Sequence, residues 1–191
     1  MAENVTYTFD SVDSGQMLCV IQIADQKGIM EIILFAVYFV LLSNEVFCLK
    51  NKWDGALNFH CPSSAEFIDA VVSFHHNYYE DRRYEFHCGR ALKRRNKVNC
   101  HWTGYVNDFD HAVHFQCPGS GYINGMASYH HNYYEDRRHR FRCCGPRSSN
   151  YHFQQCRWTG WLNNYDQPVI YFVPRGYVLR GVNSVHHNYY E

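Results

Sequence analysis

Apolar and polar residues alternate with a period of two in two matching stretches of the chain. Tyr84, Phe86 and Cys88 alternate with Glu85 and His87, and Phe141 and Cys143 alternate with Arg140 and Arg142. Such alternation sends one set of side chains to a buried face and the other to water, which predicts half-buried strands. Turn residues stand between stretches of this kind: Pro62, Pro118-Gly119-Ser120-Gly121 and Pro174-Arg175-Gly176. No window carries a sustained helical period with caps, so the expected class is all-β, with short strands and long loops. Residues 32–42, IILFAVYFVLL, break the pattern as a continuous apolar run. The run is too short for a membrane span, which needs roughly 20 residues. It fits the apolar centre of a secretion signal, with Met30 and Glu31 before it. The expected organisation is an upstream segment at 1–29, a signal peptide at 30–47 and a mature domain at 48–191 without a membrane span.

The mature part repeats. HHNYYE occurs at 75–80, 130–135 and 186–191. Asn51, Trp53, Asp54, Ala56, Phe59, Cys61 and Pro62 precede the first copy. Asn107, Phe109, Asp110, Ala112, Phe115, Cys117 and Pro118 precede the second, and Asn163, Tyr165, Asp166, Val169, Tyr171, Val173 and Pro174 the third. The period of about 56 residues gives three units, at about 49–104, 105–160 and 161–191, with pseudo-threefold related lobes and a trefoil-like arrangement. The third unit is read as truncated, because the first two continue into Asp81-Arg82-Arg83 and Asp136-Arg137-Arg138 while the third stops at Glu191. Tyr177, Val178 and Leu179 are then expected to lack a partner strand.

Composition adds the compartment and the charge. The chain holds nine cysteines, eight of them from Cys48 onward, and none forms a C-x-x-C pair. Zinc sites commonly show such close pairs, so a disulfide framework in an oxidising compartment is the better reading. Cys61 and Cys88 hold the same places in their unit as Cys117 and Cys143, and the third unit has Val173 at the first place. That predicts bridges Cys61–Cys88 and Cys117–Cys143, each closing a loop worth roughly 3–4 kcal/mol in the chain-entropy account. Cys144 is assigned to Cys156, with Cys48 and Cys100 left open. The chain is formally neutral, but from Cys48 onward 17 Lys and Arg face 12 Asp and Glu. A mildly basic mature chain suits acidic glycans or cell surfaces.

These residues resemble a known family. Asp81-Arg82-Arg83-Tyr84-Glu85-Phe86-His87-Cys88 and Asp136-Arg137-Arg138-His139-Arg140-Phe141-Arg142-Cys143-Cys144 are similar to the dermatopontin signature D-R-[EQ]-W-x-[FY]-x-C. Asn51-x-Trp53-Asp54, Phe59-x-Cys61-Pro62 and the His-x-Asn-x-x-Glu approach to Asp-Arg resemble it too. The likeness runs over about 48–191. Tyr84 and His139 replace the usual Trp, and Arg83 and Arg138 replace Glu or Gln. The resemblance implies a secreted protein of the extracellular matrix or a body fluid. Its implied partners are collagen, proteoglycans and other matrix components, or cell-surface glycans and receptors. It implies matrix organisation or cell aggregation, with a lectin-like haemagglutinin or toxin as the alternative. It also implies tyrosine sulfation, for which Tyr79 and Tyr134 have the acidic neighbourhood, although simple packing is the preferred role of these two tyrosines.

The candidate glycan-binding residues are Arg90, Lys93, Arg94, Arg95 and Lys97, the densest positive run in the chain. Such a run can hold sulfates through charge and bidentate guanidinium contacts. Nucleic acid could bind the same charges but is not expected outside the cell. Neighbouring histidines in HHNYY point to opposite faces of a strand, so one unit does not bring both to one metal ion. A structural role is preferred for this motif, with glycan contact by Tyr78, Tyr133 and Tyr189 as the alternative. The repeat-motif residues Asp81, Arg82, Phe86, Asp136, Arg137 and Phe141 recur, whereas an active site is assembled once. Asp81/Arg82 and Asp136/Arg137 are therefore read as structural ion pairs beside the disulfides. No G-x-S-x-G, H-E-x-x-H or phosphate loop is present. Hence no catalytic residue, metal ligand or cofactor is assigned, and adhesion is expected rather than catalysis.

Overall fold

The computed structural model describes residues 48–91, 98–147, 153 and 155–188, together with the backbone of 14–20. The expected signal segment at 30–47 and Lys93, Arg94, Arg95 and Lys97 lie outside the described residues.

Eleven strands and no helix make up the described chain. They are β1 (Ser14–Val20), β2 (Leu57–His60), β3 (Glu66–His76), β4 (Asp81–Arg90), β5 (Val98–Trp102), β6 (Val113–Gln116), β7 (Tyr122–His131), β8 (Asp136–Pro146), β9 (Cys156–Trp161), β10 (Val169–Phe172) and β11 (Tyr177–Ser184). The all-β class and disulfide stapling expected from the alternation and the cysteines are what the structure has. The strands form three sheets, in the orders β2-β7-β8-β5, β6-β11-β1-β9 and β10-β3-β4. A sheet is not one sequence unit. The β7–β8 hairpin is flanked by β2 and β5 from the unit before it, and the β3–β4 hairpin by β10 from the third unit. β3, β7 and β11 pack against one another at the centre.

β11 does not lack a partner. The backbone of β1 pairs with it antiparallel, setting Val20 opposite Tyr177, Cys19 opposite Val178 and Leu18 opposite Leu179. Part of the upstream segment thus fills, beside β11, the place that β4 and β8 take beside β3 and β7.

The core is apolar and aromatic. Leu57, Ile68, Ile123, Phe86, Phe141, Val178 and Leu179 are buried. Phe86 stacks on Phe59 and Phe141 on Phe115, with ring centroids 4.8 Å apart in both cases, a preferred offset geometry for aromatic pairs. These two motif phenylalanines anchor β4 and β8 to the short strand beside them in the core.

The sheets are also tied at their bulges. β3 shifts register between Ile68 and Ala70, and β7 between Ile123 and Gly125. A bulge turns an extra carbonyl out of the ladder. Cys61 N donates to Asn124 O, Val173 N to Asp69 O and Cys117 N to Arg180 O. Each bond joins the residue after a four-residue strand to the next unit, so Val173 keeps this backbone role without a cysteine. Gly125 is required here: a Cβ would stand 2.7 Å from both Phe59 O and His60 Cβ.

Bridges Cys61–Cys88, Cys117–Cys143 and Cys100–Cys144 staple the sheets of the described residues. The assignment of Cys144 to Cys156 is corrected. Cys144 lies directly opposite Cys100 in the β5–β8 ladder. Adjacent residues of a strand face opposite ways, so Cys143 and Cys144 take different partners. Cys156 is disulfide-bonded, and the β1–β9 register sets Cys19 opposite it. Cys48 is a free, exposed thiol.

Candidate functional site at the hairpin ends

The β3–β4 and β7–β8 hairpins close through the same four residues, Asn-Tyr-Tyr-Glu. Tyr79 N donates to His76 O and Tyr134 N to His131 O, both at 3.0 Å. Glu80 and Glu135 then take left-handed backbone, with φ of 43° and 47°. HHNYYE is thus two strand-ending histidines followed by a turn, rather than a strand throughout. The turn throws the first tyrosine outward: Tyr78 is 83 % and Tyr133 82 % exposed.

The second tyrosine builds the base. Tyr79 stacks on Trp53 at 5.4 Å, and Tyr134 stacks on Phe109 at 4.7 Å. Tyr78 meets Tyr79 edge-on, as Tyr133 meets Tyr134. Arg83 lies over Trp53, and Arg138 over Tyr105. Each hairpin end is therefore a preformed aromatic step topped by one exposed phenol and flanked by a guanidinium, a surface suited to sugar rings or to peptide apolar groups. Third-unit Tyr189 lies outside the described residues.

Between these ends sits a polar cleft of about 80 Å³, rimmed by His75, His130, His186, Glu80, Glu135 and Asp136 among others. Both aromatic ends therefore occupy the same pole of the molecule. Beneath it is a mainly apolar cavity of about 100 Å³ lined by Ile68, Phe86, Ile123, Phe141 and Leu179 among others.

The cleft floor is a charge network. Arg137 is buried and donates from Nε to Asp81 Oδ1 at 2.6 Å and from Nη2 to Asp81 Oδ2 at 2.8 Å. It also reaches Ser128 Oγ and Gly55 O. Asp81 accepts the Asp54 N–H as well, which the left-handed backbone of Asp54 presents, with φ 54°. This corrects the expected Asp81/Arg82 and Asp136/Arg137 ion pairs beside the disulfides. Asp81 pairs with Arg137 of the next unit, at the opposite end of β4 from Cys88, while Arg82 donates to Gln167 O of the third unit. Asp136 accepts the Asp110 and Arg137 backbone N–H groups. Asn51 and Asn107 fasten the same strands: each side-chain amide donates to the carbonyl of Arg82 or Arg137 and accepts the N–H of Tyr84 or His139.

Burial sets the protonation of this region. His139 is driven down to about 3, first by loss of water and then by Arg137, so it stays neutral. Desolvation also lowers His75 and raises Asp136 and the Tyr84 phenol.

Of the basic run, the described residue is Arg90, exposed at the far end of β4. It and Asp81 are the two ends of the ten-residue β4, a span of roughly 30 Å at 3.3 Å per residue. The run thus begins at the pole opposite the aromatic ends. Sequence reasoning did not bring His130, Asp54 and Glu135 together. Their recurring positions were visible, but the Asp54–His130 approach crosses from one unit to the next.

No solved structure matches the chain. Among curated proteins, the hemagglutinin/amebocyte aggregation factor of Limulus polyphemus is 43 % identical over 141 residues, 74 % of this chain and 80 % of that protein. Millepora cytotoxin-1 of Millepora dichotoma is 36 % identical over 141 residues, 74 % of this chain and 61 % of that protein. Dermatopontin of Biomphalaria glabrata is 34 % identical over 131 residues, 68 % of this chain and 83 % of that protein. The dermatopontin family profile matches residues 51–191, which include both D-R signatures, both aromatic hairpin ends and the bridges Cys61–Cys88, Cys100–Cys144 and Cys117–Cys143. The chain belongs to the dermatopontin family.

Proposed function

We propose that the protein is a secreted adhesion protein that holds matrix components or cell surfaces through two poles of one rigid body. The observation that carries this is the pair of matching aromatic ends, Tyr78 and Tyr133, exposed at one pole and locked from below by stacked rings. Two weak contacts on one body act at high effective concentration, so together they bind far more tightly than either alone. Arg90 at the other pole, with the basic run that follows it in sequence, supplies a second contact, for sulfated glycans of proteoglycans. A body gripping two surfaces organises a matrix or aggregates cells. The relative named a hemagglutinin/amebocyte aggregation factor supports this reading, and the disulfide framework fits an oxidising extracellular setting. The repeated, structurally engaged Asp-Arg pairs support a binding role rather than an enzyme. The exposed phenols also favour a lectin-like variant, in which the aromatic ends select a sugar.

Retention on immobilised heparin at near-physiological salt tests the second pole. The oxidised protein is expected to be retained. A variant with Lys93, Arg94, Arg95 and Lys97 changed to Gln is expected to elute with little delay, while Tyr78→Ala/Tyr133→Ala behaves like the parent. Failure of the parent to bind would make the run an ordinary solvated loop. Inhibition of cell aggregation by a simple sugar, rather than by polyanions alone, would favour the lectin variant.

A further inference from the structure

The cleft holds a buried histidine whose surroundings a neutral ring does not satisfy. The His130 side chain is fully buried, and neither ring nitrogen has a hydrogen-bond partner. Nδ1 faces Asp81 Oδ1 at 3.5 Å, while Nε2 faces Glu135 Oε2 at 3.3 Å and Asp54 Oδ1 at 3.8 Å. Asp54 Oδ1 is itself buried without a partner. Two bonds of about 2.0–2.2 Å at a tetrahedral angle put their ends roughly 3.4 Å apart, so each of these oxygens lies near ligand distance from Nε2, and Asp54, Asp81 and His130 offer ligand atoms that all lie within 4.8 Å of one another.

We infer that His130 Nε2, Asp54 Oδ1 and Glu135 Oε2 form a binding site for a divalent transition-metal ion of the zinc type. Each feature has a place in that assignment. Asp81 Oδ1 is the acceptor facing Nδ1, at 3.5 Å, and so favours the tautomer that leaves the Nε2 lone pair free, as carboxylates behind metal-bound histidines do. Arg137 neutralises Asp81, so the two carboxylates on the Nε2 side carry the charge that a divalent cation balances. One imidazole with two carboxylates suits zinc, cobalt or manganese better than calcium, which prefers all-oxygen cages. The ligands come from a loop of the first unit and a hairpin of the second, so a bound ion would tie the two together.

The arrangement recurs. His186 Nε2 faces Asp110 Oδ1 at 3.5 Å, with Nδ1 3.7 Å from Asp136 Oδ1, and His75 Nε2 faces Asp166 Oδ1 at 3.6 Å. A strand keeps both histidines of one HHNYYE from a single ion, but not the first of them from the carboxylates of a neighbouring unit.

The test uses cobalt(II) as the probe on the full, oxidised protein after chelator dialysis, following the visible d–d absorption and counting equivalents bound. Glu135→Gln is the informative variant, because Glu135 sits on a partly exposed turn and takes no part in the Asp81–Arg137 pair. The parent is expected to bind cobalt tightly, with zinc displacing it and raising Tm. Glu135→Gln and, independently, Asp54→Asn are each expected to lose one equivalent, or at least tenfold in affinity at that equivalent. A parent that shows no d–d band, or variants with unchanged stoichiometry and affinity, would overturn the site. His111→Gln, at an exposed histidine on the surface, is expected to leave the titration as it is. A loss there equal to that of Glu135→Gln would also overturn it.

Discussion

Replacing Asp81 by Ala is expected to destabilise the protein by about 3–5 kcal/mol, the usual result of leaving one half of a buried ion pair alone. Asp81 is 3 % and Arg137 4 % exposed, and the two are joined by two short bonds. Once the carboxylate is gone, Arg137 keeps Ser128 Oγ and Gly55 O but has no counter-charge and no water. The Asp54 N–H loses its acceptor as well. Arg137→Leu leaves the opposite charge stranded and is expected to be nearly as harmful. The double variant Asp81→Leu/Arg137→Leu is expected to lose clearly less than the sum, because no lone charge remains buried. Urea unfolding of the oxidised proteins measures all three. Additive losses, or a loss below about 1 kcal/mol for Asp81→Ala, would show that this pair does not hold the units together.

Acid is expected to destabilise the fold through His139, and His139→Phe to remove much of that effect. The native ring stays neutral down to about 3, whereas an unfolded histidine takes up its proton near 6.5. Between those values the unfolded chain binds a proton that the native state refuses, so stability falls as pH falls. The contribution is fully present above about pH 6.5 and lost toward pH 3, on the order of 5 kcal/mol in all at ~1.4 kcal/mol per pH unit. His75 is lowered by the same burial and adds in the same direction. Asp136 is raised by burial, and its effect has the opposite sign. Phenylalanine suits the position, since the backbone N–H of His139 still reaches Asn107 Oδ1 and the matching Tyr84 is aromatic. Unfolding free energies at pH 7, 5.5 and 4 are expected to fall less steeply in His139→Phe than in the parent. Parallel slopes would place the acid sensitivity elsewhere.

What could be read in advance divides along the range of the interactions. The strands at 84–88 and 141–143 were legible because period-two alternation is local. Bridges within one unit, such as Cys61–Cys88, showed through matching positions. The neighbour of each strand was not legible. Nothing in Cys144 alone distinguishes Cys100 from Cys156, and only the β5–β8 register decides between them. In the same way Asp81 stands next to Arg82 in sequence, yet β4 sends it to Arg137, 56 residues away. The backbone of residues 14–20 joins β9 and β11, although its composition looks unlike the rest. For the candidate site, the exposed tyrosines were named but preferred as structural, because HHNYYE read as strand. The turn at Asn-Tyr-Tyr-Glu, with left-handed Glu80 and Glu135, is what turns Tyr78 and Tyr133 into surface.

The most direct measurement of the central claim is binding of the oxidised protein to fixed red cells, comparing the parent with Tyr78→Ala, Tyr133→Ala and both together. If the two aromatic ends grip one surface jointly, each single variant loses at least about tenfold in apparent affinity and the double variant loses binding, as expected when bivalent contact is broken. Binding of the double variant equal to that of the parent would contradict adhesion through the hairpin ends.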